Sequence, residues 1–171
     1  MANRLQNELF GKSELITEIN RFFLACEFKP YSDLWSVLDP FAYNVQPAFI
    51  YGKLGILSYE PNSFSIIEAG RGEEPLIGYL VTITHPDTIL LLDKIKGYNG
   101  PNAYNTHVRQ LTHVYTDIDK VVTGWCYVLT HAVLDAYAQI QQIEFGLWAE
   151  DEKQIELLDK ITKPDEPDED D

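Results

Sequence analysis

The sequence has little positive charge. It carries 13 lysines and arginines against 27 aspartates and glutamates, a formal net charge of −14 at pH 7. Nucleic acids and anionic membrane surfaces attract proteins through basic patches, so this balance argues against both as partners. No apolar run approaches the roughly 18 residues that a membrane-spanning helix needs. The first residues also lack the apolar segment of a signal peptide, so we expect a cytoplasmic protein.

Metal-binding patterns are missing as well. The chain contains neither C-x-x-C nor H-E-x-x-H, so no zinc site is expected. His107 and His113 lie on one predicted strand and would share a face, but no suitably spaced cysteine or carboxylate completes a metal site. We interpret them as hairpin histidines and expect no metal and no cofactor.

Cysteine is scarce, with two residues in the whole chain. Cys26 and Cys126 each lie in an apolar segment, which is typical of small buried hydrophobic side chains in a reducing compartment. A disulfide between the two stays open at this point.

Two common catalytic signatures are absent. Gly52-Lys53 lacks the preceding glycine and the following serine or threonine of a phosphate-binding P-loop. No G-x-S-x-G segment is present, so a serine hydrolase of the usual α/β type has no nucleophile.

The length of 171 residues and the hydrophobic content of 45% suit one globular domain with appendages. We predict a helical N-terminal extension over 1–45, the main domain over 46–149, an amphipathic helix over 150–163 and a disordered acidic tail over 164–171. The tail is too polar and too rich in proline to pack. Solvation is its simplest role, and binding of calcium or a partner is the alternative.

Apolar periodicity and caps predict four helices. In the last of them, Ile155, Leu158 and Ile161 would share the apolar side. The predicted segments are 13–28 with Ser13 as cap, 32–41, 85–97 beginning at Pro86 and ending at Gly97, and 149–162.

Strands are predicted from alternating or continuous apolar runs bounded by turns. The segments are 47–52, 62–70, 76–83 and a hairpin formed by 106–116 and 120–130. The segment 137–148 fits a strand or a helix equally well.

The stretch AFIYGKLG, residues 48–55, allows two interpretations. A strand that ends at Tyr51-Gly52 would place consecutive backbone N–H groups at a sheet edge, and Gly52 permits backbone geometries closed to other residues. Such a loop can bind a carboxylate through main-chain donors, whereas an ordinary turn is the alternative.

Several segments, in order, resemble motifs of the γ-glutamylcyclotransferase-like superfamily over residues 48–149. FIYGKLG is similar to its Tyr-Gly-[Ser/Thr]-Leu loop, and LIGYLVTI to its glycine-containing strand. LLDKIKGY resembles its Leu-Asp-x-x-Glu-Gly-Tyr helix end. YNTHVRQLTHV with GWCYVL is similar to its last hairpin, and IEFGLW to its closing segment.

The resemblance implies an α+β fold, namely a small mixed β-barrel-like sheet with helices outside and a cavity at one end. Here N-terminal helices and a C-terminal helix would be added. Enzymes of the superfamily release 5-oxoproline when the substrate's α-amine attacks its own γ-carbonyl. The resemblance further implies that main-chain amides of Tyr51, Gly52, Lys53 and Leu54 hold the glutamyl group, with Tyr104 as a further substrate-binding residue.

The catalytic glutamate of that motif is replaced by Lys96. A lysine is charged at neutral pH, and both the helix C-terminus and Asp93, three residues earlier, favour the charged form. Lys96 is therefore a poor proton shuttle, and Asp93 is an acid one helical turn from the expected place. Further departures are Lys53 for serine or threonine, Val81 for tyrosine and Thr106 for arginine.

Three hypotheses follow. The first is a module without cyclotransferase activity that binds a small γ-glutamyl-like or carboxylate ligand, or a protein. The second is an active cyclotransferase or amide-processing enzyme whose acid is Asp93, Glu73 or Glu74. The third is a structural protein that docks through its N-terminal 45 residues or its tail, with an exposed patch of Phe22, Phe23 and Trp35.

Overall fold

The computed structural model describes residues 20–25, 35–57, 60–72, 74–136, 141–143 and 152–162. Its strands are β1 (Arg21–Leu24), β2 (Ala42–Leu57), β3 (Glu60–Ala69), β4 (Pro75–Ile83), β5 (His107–Asp117), β6 (Lys120–Leu129) and β7 (Gln141–Ile143). Its helices are α1 (Trp35–Leu38), α2 (Pro86–Ile95), α3 (His131–Ala136) and α4 (Glu152–Thr162), with a 3₁₀ turn over Asp39–Phe41.

Five strands close into a mixed barrel. Their order is β2-β4-β1-β6-β5, and the pairing of Phe49 with Tyr115 joins β5 back to β2. β1 runs antiparallel to β4 and parallel to β6, which makes the sheet mixed. β3 and β7 pair with the second half of β2, outside the ring. The predicted α+β fold with a small mixed barrel is confirmed.

Apolar side chains on the two faces of the barrel wall form separate cores, because successive strand residues point to opposite faces. The inner core contains Phe23, Ala48, Ile50, Leu54, Ile66, Ala69, Leu76, Leu80, Val114, Cys126 and Val128. The outer core, which includes residues of α1 and α2, contains Phe22, Leu24, Trp35, Leu38, Tyr79, Val81, Ile83, Ile89, Leu92 and Tyr127. A third cluster beside α4 contains Phe49, Ile77 and Leu157.

A helix was predicted over 13–28, but residues 21–24 form strand β1, so the prediction is wrong for these four residues. Phe23 points into the barrel, whereas Phe22 and Leu24 belong to the outer core. A strand buried on both faces reads as a continuous apolar run, and such a run cannot be told from a buried helix by periodicity. Phe22, Phe23 and Trp35 are buried, so they do not form the exposed patch that the docking hypothesis expected.

Strand β2 is much longer than the predicted segment 47–52. It runs for 16 residues and shifts register between Lys53 and Leu54. Its pairing passes from β4 to β3 at Tyr51 and Gly52. Gly52 is required there because a Cβ at this position would overlap the carbonyl oxygen of Glu68 on β3. The Tyr-Gly motif thus marks the place where the strand leaves the barrel, and the loop predicted at this place is wrong.

Several predictions for the helices and the hairpin are confirmed, and one residue of the last helix is an exception. Helix α2 begins at Pro86, and Gly97 ends it with a φ of 69°, a conformation that glycine adopts without steric cost. β5 and β6 form the predicted hairpin. Helix α4 buries Gln154 and Leu157, whereas Ile155 is exposed, contrary to prediction.

The ambiguous segment 137–148 contains β7. Cys126 is a free, buried thiol. Cys26, the capping residue Ser13 and the acidic tail lie outside the described residues, as does Glu73.

Within the described ranges, no helix combines the length and apolar character needed to cross a membrane.

Gly52 provides a test of the strand crossing. We expect Gly52→Ala to lower the free energy of unfolding by about 3 kcal/mol, since the added methyl group meets backbone that cannot rotate away. Chemical denaturation of both proteins measures this difference. Gly72→Ala is the matched control, because nothing lies within 4 Å of its Cβ position, although its φ of 91° adds some strain. A smaller loss for Gly52→Ala than for Gly72→Ala would contradict the close approach.

Candidate functional site

The four residues of the predicted glutamyl-binding loop point in different directions. The Gly52 N–H donates to the Glu74 carbonyl at 3.1 Å, and the Tyr51 carbonyl accepts from the Gly70 N–H at 2.7 Å. The Tyr51 ring packs edge-on against Tyr115, in the cluster beside α4. Leu54 is buried in the inner core. Of the four, Lys53 extends its side chain towards a cavity.

This cavity has a volume of about 650 Å³. It lies between β3, the open end of the β5–β6 hairpin and α3. Its polar side chains belong to Lys53, Glu68, Arg71, Gln110, Thr130 and His131. Its apolar wall is formed by Ile67, Ala69, Val108, Val128, Leu129 and Leu134. We take this cavity as the candidate binding site.

Arg71 lies at the edge of the cavity, in the turn after β3. A second hollow of about 370 Å³ also borders Arg71 and Gln110. The Gln110 side chain is held by a hydrogen bond from Nε2 to the Ala69 carbonyl at 3.2 Å. Within the described part of the chain, Arg71 has no hydrogen-bond or ion-pair partner. Lys53, by contrast, lies 3.6 Å from the Glu68 carboxylate, with both side chains substantially exposed.

Lys96 lies at the C-terminal end of α2 and is half-buried. Its backbone carbonyl accepts a hydrogen bond from Thr106 Oγ1 at 3.0 Å, and His107 Nδ1 lies 3.1 Å from the same oxygen. Burial raises the pKa of the Cys126 thiol to about 12, and the nearby Lys96 charge acts in the opposite direction. The Cys126 thiol faces the inner core of the barrel.

His107 connects three elements. Its Nδ1 faces the carbonyl oxygen of Lys96, which can only accept, so Nδ1 carries the proton. In the neutral ring, Nε2 then accepts from Ser65 Oγ at 3.1 Å. His113 is exposed six residues along the strand, about 20 Å away at the usual rise. Across the described residues, no three histidine, cysteine or acidic side chains are grouped to hold a metal ion.

Asp93 lies on the opposite face of the barrel wall from Cys126. Tyr127 donates its hydroxyl proton to Asp93 Oδ1 at 2.5 Å, and Arg109 Nη1 lies 3.5 Å from Oδ2. The Arg109 guanidinium lies over the rings of Trp125 and Tyr98, at 5.0 and 5.4 Å from their centroids. These contacts attach α2 to the outside of the barrel.

Burial raises the pKa of Asp93, and the Tyr127 hydrogen bond and the Arg109 charge oppose this effect. Burial, followed by the negative charge of Asp93, raises the pKa of Tyr127, so the phenol keeps its proton and donates. The cluster holds its charges on the outer face of the barrel wall.

The remaining predicted residues are not brought to the cavity. Tyr104 is 74% exposed in the segment before β5. Val81, where the superfamily motif has tyrosine, is buried in the outer core. Thr106 binds the carbonyl of Lys96. Arg71, Gln110 and His131 were missed because they come from separate elements and form no motif.

No family model matches the chain, and no curated protein matches it. Solved structures do match it, and two of them superpose with a TM-score above 0.5. YkqA from Bacillus subtilis superposes with a TM-score of 0.52 at 13% identity; the match covers 74% of this chain, which spans only 39% of YkqA. An AIG2-like protein of Mus musculus, also designated GGACT, superposes with a TM-score of 0.56 at 12% identity, covering 74% of this chain and 87% of that one.

The chain has a γ-glutamylcyclotransferase-like fold. At this level of identity the likeness concerns the fold alone. The likeness does not extend to the residues that line the cavity or to Lys96, which are described here from this chain alone.

The raised pKa of Asp93 predicts how stability depends on pH. A raised pKa in the folded state means that ionisation of Asp93 costs stability. This cost is absent below the unfolded value near 3.8 and develops as pH rises through the higher folded value. We expect Asp93→Asn, which keeps an oxygen for the Tyr127 hydroxyl, to be at least as stable as the parent protein at pH 7.

Urea denaturation of both proteins from pH 7 down to pH 4 measures this advantage. It should shrink as the pH falls, because Asp93 becomes neutral in the parent protein, while the other carboxyl groups are common to both. An advantage for the parent protein that grows towards pH 7 would show that the ion pair with Arg109 outweighs burial.

Proposed function

We propose that this γ-glutamylcyclotransferase-like protein lacks cyclotransferase activity and binds a small molecule in the cavity beside β3. The observation that carries the proposal is the placement of charge at the barrel. Residue 96 is a half-buried lysine at the C-terminal end of α2, and the Asp93 carboxyl group is held on the outer face of the barrel wall by Tyr127 and Arg109.

Cyclisation of a γ-glutamyl group needs a base for the attacking amine and an acid for the departing nitrogen. A carboxylate can serve both steps, whereas a lysine must first lose its charge, which requires deep desolvation. Lys96 is only half-buried and lies at a helix C-terminus, where the helix dipole favours the cation. The residue at this position therefore does not support proton shuttling.

The alternative of an active enzyme with a relocated acid finds little support. Asp93 faces away from the barrel interior, and the side chain of Glu74 is exposed. Docking through an exposed N-terminal patch also loses its basis, since Phe22, Phe23 and Trp35 are buried. We further propose a cytoplasmic location, in line with the buried free thiol of Cys126.

A direct assay tests the loss of activity. We expect the purified protein to release no measurable 5-oxoproline from glutathione, γ-glutamyl dipeptides or γ-glutamyl amines, because residue 96 offers a cation where the reaction needs an acid and a base. Mass spectrometry of the product gives the readout. Robust turnover that disappears in Asp93→Asn, with the variant still folded, would contradict the proposal.

A restoration experiment separates the role of residue 96 from that of the residues that line the cavity. We expect Lys96→Glu alone to recover little activity, because Lys53 still replaces the small hydroxyl residue of the superfamily motif. The same product assay measures it, with Lys96→Gln as the uncharged control. Substantial turnover by Lys96→Glu would mean that the cavity, with Lys53 in place, still accepts γ-glutamyl substrates.

A further inference from the structure

We propose that the ligand of the cavity is an amphipathic monocarboxylate, whose carboxylate is bound by Arg71 and Lys53 and whose apolar chain lies against the β5–β6 hairpin and α3. This inference rests on the proposed function, since it names the chemistry of the molecule that the cavity binds.

The charge around the cavity is opposite in sign to that of the whole chain. Lys53 and Arg71 face a single acidic side chain, Glu68, so the fixed groups leave one positive charge. The chain as a whole carries −14. An anion is therefore attracted to this site although most of the surface repels it.

Arg71 is the residue suited to bind the anion. Its guanidinium has no ion-pair or hydrogen-bond partner among the residues described. A guanidinium matches the two oxygens of a carboxylate with two parallel hydrogen bonds. Lys53 can join it, because its contact with Glu68 is long and solvent-exposed and is worth little to either side chain.

The single net charge favours a carboxylate over a phosphate. A doubly charged group would meet Glu68 on the same wall with only two cations to offset it. A carboxylate carries one charge, which equals the excess of the site.

The apolar part of the lining requires an apolar portion in the ligand. Ile67, Val108 and Leu134 are half-buried and face the cavity beside the buried Val128 and Leu129. A hydrocarbon chain placed there removes apolar surface from water on both partners. A volume of about 650 Å³ is within the range of small-molecule sites.

Calorimetric titration of the full chain with sodium octanoate, below the concentration at which it forms micelles, tests the inference. We expect octanoate to bind, with affinity falling about fourfold for each methylene removed towards acetate. Octylamine, which has the same chain and the opposite charge, should not bind. Equal binding of octylamine and octanoate, or no binding of octanoate, would overturn the inference.

Two variants locate the carboxylate. Arg71→Gln should weaken octanoate binding about tenfold, as expected for the loss of a charged hydrogen bond. Lys120→Gln removes the same charge from the exposed first residue of β6, which is not part of the cavity lining, and should leave the affinity unchanged. Circular dichroism checks that both variants fold. An equal loss in both variants, or none in Arg71→Gln, would overturn the assignment of Arg71.

The titration also separates this inference from the proposed function. Binding of 1-octanol without octanoate would refute the carboxylate while leaving the cavity as a small-molecule site. Failure of the other part of the proposed function, the loss of cyclotransferase activity, would instead be seen as 5-oxoproline release, which the titration does not measure.

Discussion

The alternation of side chains along β6 is the constraint on which the functional interpretation depends. Cys126 and Val128 point into the barrel, whereas Trp125 and Tyr127 point outwards towards α2. Asp93 and Arg109 contact the outward pair, so the buried acid and its partners are separated from the interior by the barrel wall. Lys96 follows Asp93 by three residues and caps the C-terminal end of α2.

The contacts of Asp93 with Tyr127 and Arg109 and the end of helix α2 together hold residue 96 in place. The Tyr127–Asp93 hydrogen bond attaches the last turn of α2 to the barrel, and Thr106 binds the carbonyl of Lys96. Gly97 then reverses the chain with a positive φ. The backbone at this position is therefore firmly supported, and the difference from the superfamily motif lies in the side chain.

Local signals predicted much of this fold. Pro86 and Gly97 marked the ends of α2, and alternation with a short turn marked the β5–β6 hairpin. The order of the motifs, more than any one of them, indicated the barrel. β1 was missed because an apolar run covered on both faces carries no period that distinguishes strand from helix.

The site was harder to predict than the fold, for a different physical reason. Whether Asp93 faces the interior depends on which strand lies under its helix, and that is a tertiary contact absent from local sequence. Arg71 and Gln110 are brought together by β3 packing beside the hairpin, so no spacing in the sequence reports them. Lys53 was identified through the motif resemblance, and it is the residue of that motif that borders the cavity.

The most direct test of the central claim is a crystal structure of the purified protein at neutral pH, read at two side chains. The account predicts the Lys96 ammonium at the interior end of the barrel near Cys126, with the Asp93 carboxyl group bound to Tyr127 on the outer face. A Lys96 side chain extended into bulk water, with a carboxyl group from elsewhere in the chain at the interior end, would contradict it.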